Sequence, residues 1–125
     1  MIVGSGIDIT EVDRIREAIQ RFGNRFLNRV FTEAEIRYCE SRKNSAERYA
    51  ARFAAKEAAM KAIGTGLHRG VTWKDFEIGH AAGGRPTLKL SGRGADFADG
   101  LGARHIALSL THTAHTAMAM VILED

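Results

Sequence analysis

SAERYAARFAAKEAAMKAI, residues 45–63, closed by Gly64-Thr65-Gly66, is the longest periodic stretch of the chain. Alanine dominates it, Tyr49, Phe53, Met60 and Ile63 recur on one helical stripe, and glycines follow Ile63. The spacing predicts a helix over 46–63 with Ser45 as its N-cap. Outward toward the N-terminus, residues 2–12 (IVGSGIDITEV) are β-branched and glycine-bearing and read as a strand. Alternation puts Ile2, Gly4, Gly6, Asp8 and Thr10 on one face and Val3, Ser5, Ile7 and Ile9 on the other. From Asp13, Ile15, Ala18, Ile19 and Phe22 recur at helical spacing up to Gly23, and Thr32 with Glu35 is a capping-box signature for a short helix through Ile36, Tyr38 and Cys39. Toward the C-terminus, 71–79 and 86–90 read as strands around the turn 81–85. Ser91 reads as the cap of a short helix to Asp99, and 105–112 with 116–123 as a hairpin. The expected fold is α+β: an antiparallel sheet packed against one long helix plus short helices, in a single domain over residues 1–125.

The chain has 125 residues, 45% hydrophobic and 26% charged, with 13 Gly and 1 Pro, which excludes disordered, collagenous and coiled-coil classes. The formal charge of +3 excludes a histone-like polyelectrolyte and suits a local basic patch for phosphate or an acidic partner. Cys39 is the only cysteine, so no disulfide framework or CxxC site arises within one chain. No basic leader with a long apolar run opens the sequence, and no segment nears the ~20 apolar residues of a membrane span. A cytoplasmic protein without membrane association is expected. At this length a deep self-made pocket would take up much of the core.

Two carboxylates stand out. Asp8 lies between Ile7 and Ile9 in a strand, where it must be paired, protonated or bound to a cation; a structural Asp bonded to backbone or Arg is the plain alternative. Glu57 sits among Ala54, Ala55, Ala58 and Ala59, and its plain alternative is a solvated Glu57–Lys61 helix pair. A long helix across the sheet would bring both together as a hard-oxygen site for Mg²⁺, completed by substrate phosphates, with Lys61 and Gly64-Thr65-Gly66 near the phosphate oxygens. Gly4-x-Gly6 lacks the rest of a dinucleotide fingerprint, and His105, His112 and His115 lack the partners of a zinc site. Arg14, Arg16, Arg21 and Arg25 interleave with Phe22 and Phe26, a pattern suited to docking an acidic protein helix, while no RNA-binding motif is present.

Gly6-Ile7-Asp8-Ile9-Thr10-Glu11-Val12, Arg14-Ile15, Phe31-Thr32-x-x-Glu35, Arg52-Phe53-Ala54-Ala55-Lys56-Glu57-Ala58-x-x-Lys61-Ala62-x-Gly64-Thr65-Gly66 and Ser109-Leu110-Thr111-His112-Thr113 together resemble the 4′-phosphopantetheinyl transferases of the holo-[acyl-carrier-protein] synthase type, in family order along the chain. The resemblance implies transfer of the phosphopantetheine arm of coenzyme A to a serine of apo-acyl carrier protein, with release of adenosine 3′,5′-bisphosphate, in support of fatty-acid synthesis. It implies catalytic Asp8, Glu57 and Lys61, with Asp8 and Glu57 holding Mg²⁺. The base would be Glu57 or a water on the metal. Lys61, Gly64, Thr65, Gly66, Arg52, Arg85, Pro86, Ser109 and His112 are the expected coenzyme A contacts, and Arg14, Arg21, Phe22, Arg25 and Phe26 the surface for the acidic carrier. A homotrimer with interfacial sites is also implied, Asp8 and the first helix coming from one subunit and Glu57, Lys61 and the 64–66 turn from its neighbour, or the reverse. The competing reading is a coenzyme A or nucleic-acid binding module without catalysis.

Overall fold

In the computed structural model, which describes residues 1–125, the chain forms β1 (Ile2–Glu11), α1 (Val12–Phe22), α2 (Asn24–Val30), α3 (Glu33–Glu40), α4 (Ser45–Ile63), β2 (Phe76–His80), β3 (Pro86–Leu90), α5 (Gly92–Gly100), β4 (His105–His112) and β5 (Thr116–Glu124). The α+β architecture with a long central helix is as expected. The sheet is divided in two, however: an antiparallel β1-β5-β4 sheet and a separate antiparallel β2-β3 pair. The strand expected from residue 71 begins only at Phe76. Thr72 and Asp75 cap each other, Thr72 N and Oγ1 donating to the Asp75 carboxylate at 3.2 and 2.9 Å, and wind Trp73–Asp75 into a 3₁₀ turn.

α4 lies across both sheets because its neighbours leave room for it. A Cβ on Gly4 would come 2.2 Å from the Ala62 carbonyl oxygen, and one on Gly6 1.9 Å from that of Ala58. The two glycines of β1 thus let helix and strand backbones touch, and the small face of β1 is the face under the helix. The opposite face carries Ile7 and Ile9, 54% and 62% exposed, opposite Met120 and Met118 of β5.

Two apolar clusters result. One gathers Ala54, Ala55, Ala58, Met60, Phe76, Val121 and Leu123 between α4 and the sheets. The other gathers Val12, Ile15, Leu27, Val30, Phe31 and Tyr49 beneath α1–α3. It also holds Cys39, whose thiol burial pushes up to about 12, leaving it unreactive. The seven-residue α2 had no assignment from sequence, and Leu27 and Val30 anchor it.

Two expected caps differ. Asn44, in the left-handed region at φ 57°, precedes α4, and Ser45 is the first helical residue. Ser91 makes no capping bond; Asp75 accepts from Gly94 N at 3.0 Å and caps α5 from across the fold. Beneath α4, Lys56 and Glu35 form a fully buried ion pair, Nζ–Oε1 2.8 Å. Lys56 also donates to the Trp73 and Phe76 carbonyls, and Glu35 accepts from Thr32 N and Ile78 N at 2.8 and 2.9 Å. The pair ties α3, α4 and β2 together. No helix is long and apolar enough to cross a membrane.

Candidate active site

Asp8 occupies the middle of β1 on the glycine-bearing face, at the edge of α4. Thr10 Oγ1 donates to its Oδ2 at 3.3 Å, and Lys61 Nζ donates to its Oδ1 at 3.0 Å and to the Ile7 carbonyl at 2.9 Å. Glu57, one helical turn before Lys61, faces the same cleft of about 260 Å³, lined also by Thr10, Arg14, Phe26 and Phe53. The solvated Glu57–Lys61 pair therefore does not form: Lys61 reaches past Glu57 to Asp8, and Glu57 has no ion-pair partner. Desolvation and, next, the negative charge of Asp8 raise the proton affinity of Glu57 above that of an ordinary carboxyl, while Lys61 and Arg14 pull the other way.

Asp8, Arg14, Glu57 and Lys61 all come from one chain. This corrects the expected division of the acidic pair between subunits, for the glycine-mediated contact of β1 with α4 is made within the chain. No group of three or more His, Cys, Asp or Glu is gathered for a metal. Two carboxylates across an open cleft, one already drawing an ammonium, fit a cation such as Mg²⁺ that keeps most of its oxygens from water and substrate.

The turn after α4 has a different character. The Gly64, Thr65 and Gly66 amides all bond the Met60 carbonyl, at 3.0, 3.2 and 3.4 Å, and the Thr65 hydroxyl donates to Gly66 O. These donors close the helix end.

The remaining expected contacts gather elsewhere. Arg52 is 3% exposed and lies over the Tyr38 ring at 4.2 Å, in a cleft of about 180 Å³ with Arg48, His80, Pro86 and His112. Its Nη1 donates to the Arg48 carbonyl at 3.4 Å, but Nε and Nη2 have no partner, nor has Arg48 Nε. Buried guanidinium donors without acceptors mark a place for an anion. His112 donates through Nδ1 to Glu47 at 3.2 Å, with Arg48 3.5 Å from its Nε2. Burial first, then Arg52, Arg42 and Arg48, holds the His80 imidazole below its usual value. Pro86 connects this cleft to a broad groove of about 890 Å³ between β3 and β4, where Arg85 and Ser109 lie with Arg104 and His105. Arg42, Arg48 and His80 were missed in the sequence; the only signal was the four-residue spacing of Arg48 and Arg52 on one helix face.

The acidic and arginine clefts share no residue. Arg52 and Glu57 are five positions apart on α4, which turns them about 140° from each other. On the outer side of α1 and α2, Arg14, Arg21 and Phe22 border one shallow cleft and Phe22, Arg25, Phe26 and Arg29 another. Arg14, Arg21 and Arg25 are free of ion pairs, whereas Arg16 is held by Asp13.

A family model described as the 4′-phosphopantetheinyl transferase superfamily matches residues 4–117. The chain is 63% identical, over the full length of both, to a holo-[acyl-carrier-protein] synthase of Koribacter versatilis. It superposes on the crystal structure of holo-[acyl-carrier-protein] synthase from Neisseria meningitidis with a TM-score of 0.90 at 33% identity, covering 100% of each chain. Against the Bacillus anthracis holo-(acyl-carrier-protein) synthase in complex with CoA (3′,5′-ADP), the TM-score is 0.81 at 36% identity, over 98% of this chain and 96% of that one.

Proposed function

Since the chain belongs to the 4′-phosphopantetheinyl transferase superfamily and is a phosphopantetheinyl transferase of the holo-[acyl-carrier-protein] synthase type, we propose that residues 1–125 act as one domain that modifies apo-acyl carrier protein for fatty-acid synthesis in the cytoplasm. The serine hydroxyl of the carrier attacks the phosphorus attached to pantetheine. The pyrophosphate bond breaks, and adenosine 3′,5′-bisphosphate leaves. The observation that carries the reading is the meeting of Asp8 and Glu57 in one cleft beside Lys61 and Arg14. A coenzyme A binder without chemistry has no use for two carboxylates facing an anion.

Asp8 and Glu57 would hold Mg²⁺, which when bound neutralises charge on the pyrophosphate oxygens. Thr10 fixes the Asp8 carboxylate through its hydroxyl. Glu57, or a water that it orients, would accept the serine proton. Lys61 presents an exposed ammonium to phosphate, and Arg14 adds positive charge at the cleft mouth.

Arg48, Arg52 and His112, with Arg85, Pro86 and Ser109 along the adjoining groove, suit the adenosine bisphosphate end of coenzyme A. One ligand spanning both clefts calls for two chains, because the clefts open on different faces of α4. The uncovered sheet face with Ile7, Ile9, Met118 and Met120 supports assembly of a homotrimer through that face. Arg14, Arg21, Phe22, Arg25 and Phe26 then receive the acidic carrier.

Incubation with apo-carrier protein, coenzyme A and Mg²⁺, read by intact mass, tests the proposal. A phosphopantetheine mass gain that chelation of the metal abolishes is expected. No gain, under conditions where a competent synthase modifies the same carrier, would overturn it.

A further inference from the structure

Both Asp8 oxygens already have partners, Oδ1 the Lys61 ammonium at 3.0 Å and Oδ2 the Thr10 hydroxyl at 3.3 Å. The ammonium is further anchored by the Ile7 carbonyl at 2.9 Å. Its own side chain is 54% exposed while that of Asp8 is 12% exposed, so the lysine approaches a largely enclosed carboxylate from solvent on a flexible stem. Glu57 faces the same space without a cation of its own. The ammonium thus stands where one arm of a two-carboxylate cation site must reach, and like charges on a single oxygen repel strongly.

We infer that Lys61 is an internal counter-ion of Asp8 that a divalent cation must displace, and that the displaced ammonium is what the phosphate then meets. The inference rests on the metal reading of Asp8 and Glu57. Lys61 then has two successive roles. Without metal it quiets the repulsion between Asp8 and Glu57, and with metal it is released toward the anion. Because each ligand favours the same displaced state of Lys61, metal and coenzyme A promote one another's binding, and to the same degree in both directions.

The experiment is binding of Mn²⁺, followed by electron paramagnetic resonance, to the intact protein without carrier, with coenzyme A binding measured by calorimetry on the same samples. Lys61→Met keeps the stem and removes the charge, and should bind Mn²⁺ roughly three- to tenfold more tightly than the parent in the absence of coenzyme A. The same change should weaken coenzyme A and shrink the mutual enhancement of the two ligands. Lys61→Ala, with less stem, should move Mn²⁺ affinity in the same direction. Mn²⁺ affinity unchanged or lowered in both variants would overturn the counter-ion role, leaving Lys61 a phosphate contact only. Glu57→Ala separates this from failure of the metal reading: it should abolish Mn²⁺ binding in the parent and in Lys61→Met. Mn²⁺ binding indifferent to Glu57→Ala would overturn both.

Discussion

Two acid–base arrangements lie five residues apart along α4 and differ in every physical respect. Lys56 and Glu35 are closed off from water, and each charge is met by its opposite plus backbone groups on three elements. Around Lys61 the balance is incomplete. Asp8 has the ammonium, Glu57 has none, and both carboxylates open on a cleft. A buried pair with all its bonds made holds elements in register and has nothing left to offer a ligand. A half-satisfied set at a surface retains affinity for what is missing, here a cation and then an anion. Lys56 and Glu57, adjacent on α4, therefore fall on different sides of the division between scaffold and chemistry.

Glu57→Ala should lower the transfer rate by about a thousandfold or more while the melting temperature stays within about 2 °C. Glu35→Ala should do the reverse: removing one partner of the buried pair costs about 3–5 kcal/mol and roughly 10–20 °C in melting temperature, with the kcat of the remaining folded protein nearly unchanged. If Glu35→Ala removed activity without lowering stability, the division would fail.

A smaller effect distinguishes the basic surface from the cleft. Arg21→Glu, outside the acidic cleft, should raise the KM for carrier protein about tenfold, more at low salt, and leave that for coenzyme A nearly unchanged. Arg14→Glu, which borders both, should raise the carrier KM and also lower kcat.

The smallest effect concerns metal-free stability. Glu57 binds its proton more tightly in the folded chain than in the unfolded one, so ionising it opposes folding as pH rises above the ordinary 4.5. Glu57→Gln should then stabilise the metal-free protein slightly at neutral pH, an effect reduced by solvent screening at this half-exposed site. The gain should vanish below pH 4.5, where both forms of the parent are protonated. Thermal melts across pH check the sign.

Much of this was legible in the sequence. The alternation of β1 put Asp8 on the small face, the α4 periodicity isolated Glu57 among alanines, and a helix across the strand brought them together. Which chain supplied each member was not legible: Gly4 and Gly6 on the Asp8 face mark a close backbone approach without saying whose helix makes it, and the structure shows it to be α4 of the same chain. The arginine cleft was legible only in part, because Tyr38, Arg48, Arg52, His80 and His112 come from α3, α4, β2 and β4 and converge only in three dimensions. The late start of β2 turned on one side-chain exchange between Thr72 and Asp75, and the seven residues of α2 are too few for periodicity to stand out.

In the proposed trimer the acidic cleft of one chain works with the arginine cleft of another. Mixed assembly measures this directly, using Glu57→Ala and Arg52→Gln chains, each poorly active alone, unfolded and reassembled in equal amounts. In a randomly mixed trimer about one interface in four pairs an intact Glu57 with an intact Arg52 of its neighbour, so carrier modification should recover to about a quarter of the parent rate. A mixture no more active than its two components, with trimers of correct mass, would contradict the shared site.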